Sequence, residues 1–212
     1  MHADRLRIGA VHYLNSKPLV FGLSDDAPDF EVVFDLPSRL ADGLSDGRFD
    51  VALIPSIEFF REPTYSIISD ACIGCRGPVL SVKLFCRCPP AEIRSVAMDE
   101  GSRTSAALVQ ILLHDRYGLT PRLESLPIGA SIDDTHADAV LLIGDRAIHS
   151  PAASFADVWD LGDQWCRWSE LPFVFAMWVA RQGIASDHLV DILQHSRDDG
   201  LAHLESIASS DA

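Results

Sequence analysis

The sequence predicts an α/β fold in two lobes, and two observations lead there. Short apolar, β-like runs alternate with helical patterns along the whole chain. Three of those runs are followed at once by a turn carrying hydroxyls, an amide or cations: residues 11–19 after a run at 6–10, Ile54-Pro55-Ser56 after 50–53, and residues 99–105 after 95–98. In open α/β sheets, ligands bind outside the carboxyl ends of the strands, where helix N-termini aim N–H groups at them. Turns of this composition at several such places suit a small polar anion.

Taken in order, residues 7–11 form a strand that leads to a short helix around 18–23, where Pro18 suits a first helical turn. A strand over 31–36 precedes a helix from Pro37 to about Asp46, with Ser38 as its candidate N-cap. Residues 50–54 read as a strand and Ser56–Arg61 as a short helix. Residues 65–75 and 79–88 are two further strands, the second long and alternating. Residues 95–98, Arg103–Tyr117 and Arg122–Leu126 make a β-α-β unit. Ala139–Ile143 is a buried strand, and an apolar strand over 173–179 follows the polar turn 169–172. A helix from Ser186 to about Ile207, interrupted near Gly200, closes the pattern. This order places one lobe at 1–78 and 173–212 and the other at 79–172. It is the layout of a type II periplasmic-binding-protein-like fold, with a ligand cleft between two α/β lobes.

Composition excludes several functions. The 212 residues, 48% hydrophobic and 23% charged, can bury a sizeable core. No stretch approaches 18 uninterrupted apolar residues, so no membrane span is expected. Residues 1–7 run into a strand pattern with no apolar signal-peptide core, and five cysteines, an odd number, suit a reducing compartment. A cytoplasmic protein is the expectation. The net charge of −14 argues against nucleic acid, which needs a basic patch. The cations that remain are informative, because the only two lysines, Lys17 and Lys83, both fall in suspected segments. A local positive field inside an acidic shell still draws in an anion. The third turn offers Ser102, Arg103, Thr104 and Ser105 at a helix start, and the second offers Ser56. Helix capping is the plain alternative for Ser102.

Four blocks of residues carry a resemblance. They are Arg7-Ile8-Gly9-Ala10-Val11-His12-Tyr13-Leu14-Asn15, Asp50-Val51-Ala52-Leu53-Ile54-Pro55-Ser56-Ile57-Glu58, Gly77-Pro78-Val79-Leu80-Ser81-Val82-Lys83-Leu84-Phe85 and Ser102-Arg103-Thr104-Ser105-Ala106-Ala107-Leu108. Together they resemble the chorismate dehydratases of the futalosine route to menaquinone. Leu142-Ile143-Gly144-Asp145 and Leu171-Pro172-Phe173-Val174-Phe175-Ala176 extend the match over residues 6–182.

The resemblance implies a two-lobed binding-protein fold, loss of water from chorismate to give 3-enolpyruvylbenzoate, and no metal or organic cofactor. It points to Asn15 and Ser81 beside the reacting carbons. Asn15 can donate and accept at once, and Ser81 can donate to the departing hydroxyl or polarise a carboxylate. It also favours carboxylate binding at Thr104 and Ser105. The alternative for Asn15 is a turn amide bonding its own backbone, and for Ser81 a strand hydroxyl facing solvent. No Asp or Glu within the blocks is an evident base, which leaves the substrate's own enolpyruvyl carboxylate to take the proton.

This chain also departs from that family. Its members continue in helices that pack back on the first lobe, so exposed apolar surface is expected there, with a homodimer as one way of covering it. The position of His12 usually holds a small hydroxyl residue. His12 reads as packed in a turn more readily than as a base, and Asp145 as a loop cap. Trp159, Trp165, Trp168 and Trp178 read as core or lobe-interface aromatics. Cys72, Cys75, Cys86 and Cys88 have some zinc-like spacing but fall in strands. Two rivals remain: a 1,4-dihydroxy-6-naphthoate synthase of the same pathway, whose Ser-Pro-Cys-Pro-Asn-Asp run is missing here, and a non-catalytic small-anion binding protein.

Overall fold

The computed structural model describes residues 5–23, 30–150 and 154–210. The chain divides into two compact units, Met1–Ile73 with Val174–Ala212, and Gly74–Phe173.

Unit 1 is built on a five-stranded sheet. Its strands, numbered along the chain, are β1 (Leu6–Ala10), β2 (Phe30–Phe34), β3 (Val51–Pro55), β4 (Ser66–Cys75) and β10 (Phe173–Ala180), in the order β2-β1-β3-β10-β4. β3 is buried at every residue, as its unbroken apolar run requires of a central strand covered on both faces. β1 lies parallel to β2 and β3, and β10 runs antiparallel to β3, pairing Ala176 with Pro55. The carboxyl ends of β1 and β3 and the amino end of β10 therefore share one edge of the sheet.

Helix α1 (Pro37–Ser45) packs Leu40, Ala41 and Leu44 on the core. Its N-cap is Leu36, whose N–H donates to the Asp35 carboxylate at 2.8 Å, so Ser38 lies inside the first turn instead of capping it. The helix expected around 18–23 is a 3₁₀ segment at Leu14–Val20. Pro18 sits inside it, where a missing N–H suits a short tight helix better than a long one.

The expected closing helix is two, α6 (Asp187–Ala202) and α7 (Leu204–Ser210), broken at His203, whose ring stacks on Phe21. α6 lies against the 3₁₀ segment. The Ser196 hydroxyl reaches the carbonyl oxygens of Leu19 and Phe21, and a Cβ on Gly200 would lie 2.2 Å from the Pro18 carbonyl oxygen. Only glycine admits that approach.

Unit 2 has its own sheet of β5 (Val82–Cys86), β6 (Ser95–Asp99), β7 (Arg122–Leu126), β8 (Ala139–Ile143) and β9 (Asp157–Asp160), in the order β7-β6-β8-β5-β9. β6 is parallel to β7 and β8, while β5 runs antiparallel to β8 and β9. Helix α3 (Arg103–Tyr117) joins β6 to β7 and ends on Gly118 in the left-handed region, a common helix stop.

The long strand expected over 79–88 is confined to Val82–Cys86. Residues 79–81 form a turn with Leu80 at φ 64°, held by the Asp160 carboxylate. β9, α4 (Asp145–His149) and α5 (Leu161–Ser169) were not expected from the sequence.

Among the described residues no helix is long and apolar enough to cross a membrane. Large exposed apolar side chains occur in both units, with Phe60, Leu201 and Leu204 in one and Leu80, Ile128 and Leu171 in the other.

Candidate functional site

In unit 1 the residues expected to meet a ligand follow the carboxyl ends of β1 and β3. Asn15 and Lys17 lie on the 3₁₀ segment after β1. Asn15 is exposed, and its amide makes no hydrogen bond to the described residues. The turn is closed instead by its neighbour Ser16, which is buried. The Ser16 hydroxyl sits 2.7 Å from both the Val11 and Tyr13 carbonyl oxygens, and its N–H donates to Tyr13. With the turn held by Ser16, the Asn15 amide takes no part in closing it.

Ser56 opens helix α2 (Ser56–Arg61), is buried, and donates its hydroxyl to the Val174 carbonyl at 2.7 Å. Its proton is committed to binding β10 to β3, so it has no hydroxyl donor left for a ligand. His12 is stacked on Phe34 at 4.1 Å between centroids, a packing role.

In unit 2 the expected residues converge on one end of the sheet. Val82 pairs with Ile143, so the amino end of β5 lies beside the carboxyl end of β8, with the carboxyl end of β6 next to it. Ser81 precedes β5 in the turn 79–81. Its carbonyl accepts the Gly144 N–H at 2.8 Å, and its hydroxyl has only a long 3.4 Å contact with the Val79 carbonyl. That hydroxyl is therefore open to a better acceptor.

Asp160 holds this turn by accepting N–H groups from Val79 and Leu80 and, as the cap of α5, from Gly162 and Asp163. Lys83 is half-buried on β5 and forms no ion pair among the described residues. It is the cation nearest in sequence to Ser81.

Ser102 is the N-cap residue of helix α3 but makes no capping bond; its hydroxyl meets that of Ser105 at 2.6 Å. Thr104 and Ser105 are buried in the first turn. The plain-capping alternative for Ser102 is thus not what the geometry shows.

Asp99 and Arg146 lie beside these residues, and no motif in the sequence singles them out. Asp99, 3% exposed, ends β6. It accepts the Gly101 N–H at 2.9 Å and the Ile143 N–H at 3.3 Å, and it pairs with the Arg146 guanidinium. Burial pushes its carboxyl above the ordinary value, against the pull of those donors. The visible sequence signal was an acid closing an apolar run two residues before a glycine, the pattern of an Asx turn.

A groove of about 460 Å³ lined by Cys88, Glu92, Arg94 and Asp138 lies at the amino end of β6, away from these residues. It sets one arginine against two acids and suits a dianion poorly. The cysteines do not gather as their spacing suggested. Cys86 is buried in β5 with its thiol pushed up to about 12 by desolvation, and Cys75 lies beside Cys166 with its thiol pushed up to about 11. Among the described residues no group of three or more His, Cys, Asp or Glu could hold a metal ion.

Residues 6–211 match a family model described as menaquinone biosynthesis. The chain is 30% identical to the chorismate dehydratase of Thermus thermophilus over 97% of this chain and 81% of that protein. In structure it is similar to an Archaeoglobus fulgidus protein (TM-score 0.71, 17% identity, 97% of this chain and 78% of that one). It is also similar to a periplasmic substrate-binding protein of an ABC transporter from Coxiella burnetii (TM-score 0.52, 11% identity, 95% and 96%). A Candida albicans protein described as having the generic periplasmic binding protein fold matches as well (TM-score 0.53, 10% identity, 98% and 75%). These structural likenesses carry the fold alone: two α/β lobes of the periplasmic-binding-protein type.

Proposed function

The chain belongs to the menaquinone biosynthesis family, and from that premise we propose that it is a chorismate dehydratase, a hydro-lyase that converts chorismate to 3-[(1-carboxyvinyl)oxy]benzoate and water. The observation that carries this reading is the 30% identity to the Thermus thermophilus enzyme over nearly the whole chain. The arrangement of polar groups at strand ends supports it.

Chorismate carries two carboxylates, an allylic hydroxyl and a ring proton on the carbon bearing the enolpyruvyl ether. Loss of that proton and of the neighbouring hydroxyl as hydroxide gives an aromatic ring and one water. The reaction is strongly downhill, so the protein's task is placement. The start of α3, with Ser102, Arg103, Thr104 and Ser105, holds the non-reacting carboxylate on N–H and hydroxyl donors at the positive end of the helix. Lys17 and Lys83 add positive charge in an acidic chain.

Asn15 and Ser81 act at the reacting carbons, Ser81 donating to the leaving hydroxyl and Asn15 orienting the ring substituents. The substrate's enolpyruvyl carboxylate takes the proton, since no Asp or Glu within the blocks that carry the resemblance is an evident base and His12 is stacked on Phe34. The reaction belongs to the cytoplasm on this reading, since five cysteines, an odd number, suit a reducing compartment.

The test is incubation of the purified protein with chorismate in the presence of a chelator, followed by ultraviolet absorbance and by mass. Loss of water to a product 18 mass units lighter, unaffected by chelator, is expected on these grounds. Binding without turnover would move the chain to the anion-binding reading, and activity lost in chelator and restored by zinc would bring in a metal.

A further inference from the structure

We propose that Asp99 is the positioning residue of the unit 2 side of the site, its carboxylate fixing Ser81 and the start of α3 relative to one another. The proposal takes from the dehydratase reading what those two features do. How they are held rests on hydrogen bonding alone.

Asp99 is joined to both. Its carbonyl accepts the Ser102 N–H at 3.1 Å, and one carboxylate oxygen accepts the Gly101 N–H at 2.9 Å. These bonds shape the turn that delivers Ser102 and the helix behind it. The other carboxylate oxygen accepts the Ile143 N–H at 3.3 Å, and the next residue, Gly144, donates to the Ser81 carbonyl at 2.8 Å. A continuous path of bonds thus runs from the helix start through one carboxylate to Ser81. Arg146 pairs with that carboxylate and also donates to the Ala130 carbonyl at 2.8 Å, so the charge partner is itself anchored.

A buried carboxylate is a costly means of joining two strand ends if stability is all it supplies. Here one of its bonds lands on the residue before Ser102 and another on the residue before Gly144, the donor to Ser81. The other end of the same strand provides the contrast. Asp138 accepts the N–H groups of Arg94 and Ser95 at 2.8 and 3.0 Å and the Ser95 hydroxyl at 3.2 Å, bracing β6 with no site residue among its partners.

The test compares Asp99→Asn with Asp138→Asn by steady-state kinetics on chorismate and by amide hydrogen exchange. Asparagine keeps the shape of Asp99 but puts an NH₂ where one oxygen accepted two donors. Asp99→Asn is expected to raise KM and lower kcat together, with kcat/KM down at least ~10-fold, and to speed exchange at Gly101, Ile143 and Gly144. Asp138→Asn is expected to speed exchange at Arg94 and Ser95 and lower Tm, with KM and kcat unchanged.

Unchanged kinetics in Asp99→Asn, or the same kinetic loss in Asp138→Asn, overturns the proposal. If Asp99→Asn does not fold, Arg146→Lys serves. It keeps a cation beside Asp99 but loses the fixed fork, and kcat/KM is expected to fall at least ~3-fold, an unchanged value again overturning the idea. A wild-type chain that does not dehydrate chorismate defeats the dehydratase reading instead. Exchange at Gly144 in Asp99→Asn then decides the positioning role, faster exchange upholding it and unchanged exchange overturning it.

Discussion

Asn15 and Ser16 are neighbours in one turn, and their replacement by alanine should have opposite consequences. The Ser16 side chain is buried, and its single hydroxyl proton lies between two carbonyl oxygens, those of Val11 and Tyr13, each at 2.7 Å. Ser16→Ala removes that donor and leaves the Val11 carbonyl short of a partner, while the Tyr13 carbonyl keeps the Ser16 N–H at 2.9 Å, a cost of about 1–3 kcal/mol. For a chain of this size, at roughly 2–4 °C per kcal/mol, Tm should fall by roughly 2–12 °C. Asn15 is exposed and has no hydrogen bond among the described residues, so Asn15→Ala should change stability by no more than about 0.5 kcal/mol. Its effect should be on turnover, a loss of at least ~10²-fold, the size seen when a positioned polar group is removed from a reacting centre. Thermal melts followed by fluorescence and initial rates on chorismate, run on both variants, separate the two roles. Near-wild-type turnover in Asn15→Ala, or a Tm drop in it as large as in Ser16→Ala, would refute the division of labour in this turn.

Other consequences can be checked alongside. Ser81→Ala should lower kcat at least ~10²-fold with little change in Tm, because the hydroxyl contributes only a 3.4 Å contact to the fold; a normal kcat in that variant removes Ser81 from the catalytic pair. Thr104→Val keeps the shape of a buried side chain and deletes a donor to a charged group, so binding should weaken by roughly 1.5–3 kcal/mol. The carboxylate held there does not react, so the loss should appear mainly in KM; an unchanged KM with a lowered Tm would leave only a structural role. The Asp138 carboxyl is held below its ordinary 3.8, chiefly by the Arg94 N–H. A lowered acid stabilises the fold above its unfolded pKa and loses that contribution as pH falls through the folded value. The Tm deficit of Asp138→Asn should therefore be full at neutral pH and shrink as pH falls below 3.8; a deficit that stays constant counts against the carboxylate's role.

Much of unit 2 was legible where its signals are local. The α3 helix has a hydroxyl-rich start and a glycine stop, and β8 is an unbroken apolar run. The errors fall where a distant residue decides. Alternation carried the strand back to Val79, but the N–H groups of Val79 and Leu80 donate to Asp160, some 80 positions away, and cannot enter a ladder. The same carboxylate caps α5, a helix not expected from the sequence. Gly162 is small because Cys75 and the Gly77 carbonyl press against it, which no pattern within residues 157–169 records.

The site shows the same division. Asn15, Ser81 and the hydroxyls of α3 lie in recognisable blocks. The groups that hold them, Ser16, Asp99 and Arg146, carry no family-like chemistry of their own and are understood only from what they touch.

The approach of Gly200 to Pro18 bears on how variation in this gene should be interpreted. Gly200 lies within α6, where helix propensity alone favours alanine by about 1 kcal/mol. A scoring scheme built on propensity, or on sequence distance from Asn15, would pass Gly200→Ala as benign or beneficial. In the folded chain the added methyl would meet the Pro18 carbonyl oxygen at 2.2 Å and the Pro18 Cα at 2.5 Å. The relief available is to push the 3₁₀ segment away from the helix, and that segment carries Asn15 and Lys17. A neutral-looking allele far along the reading frame would thus act on the segment proposed to meet the substrate, and a second-site suppressor would be sought around Pro18 rather than on α6.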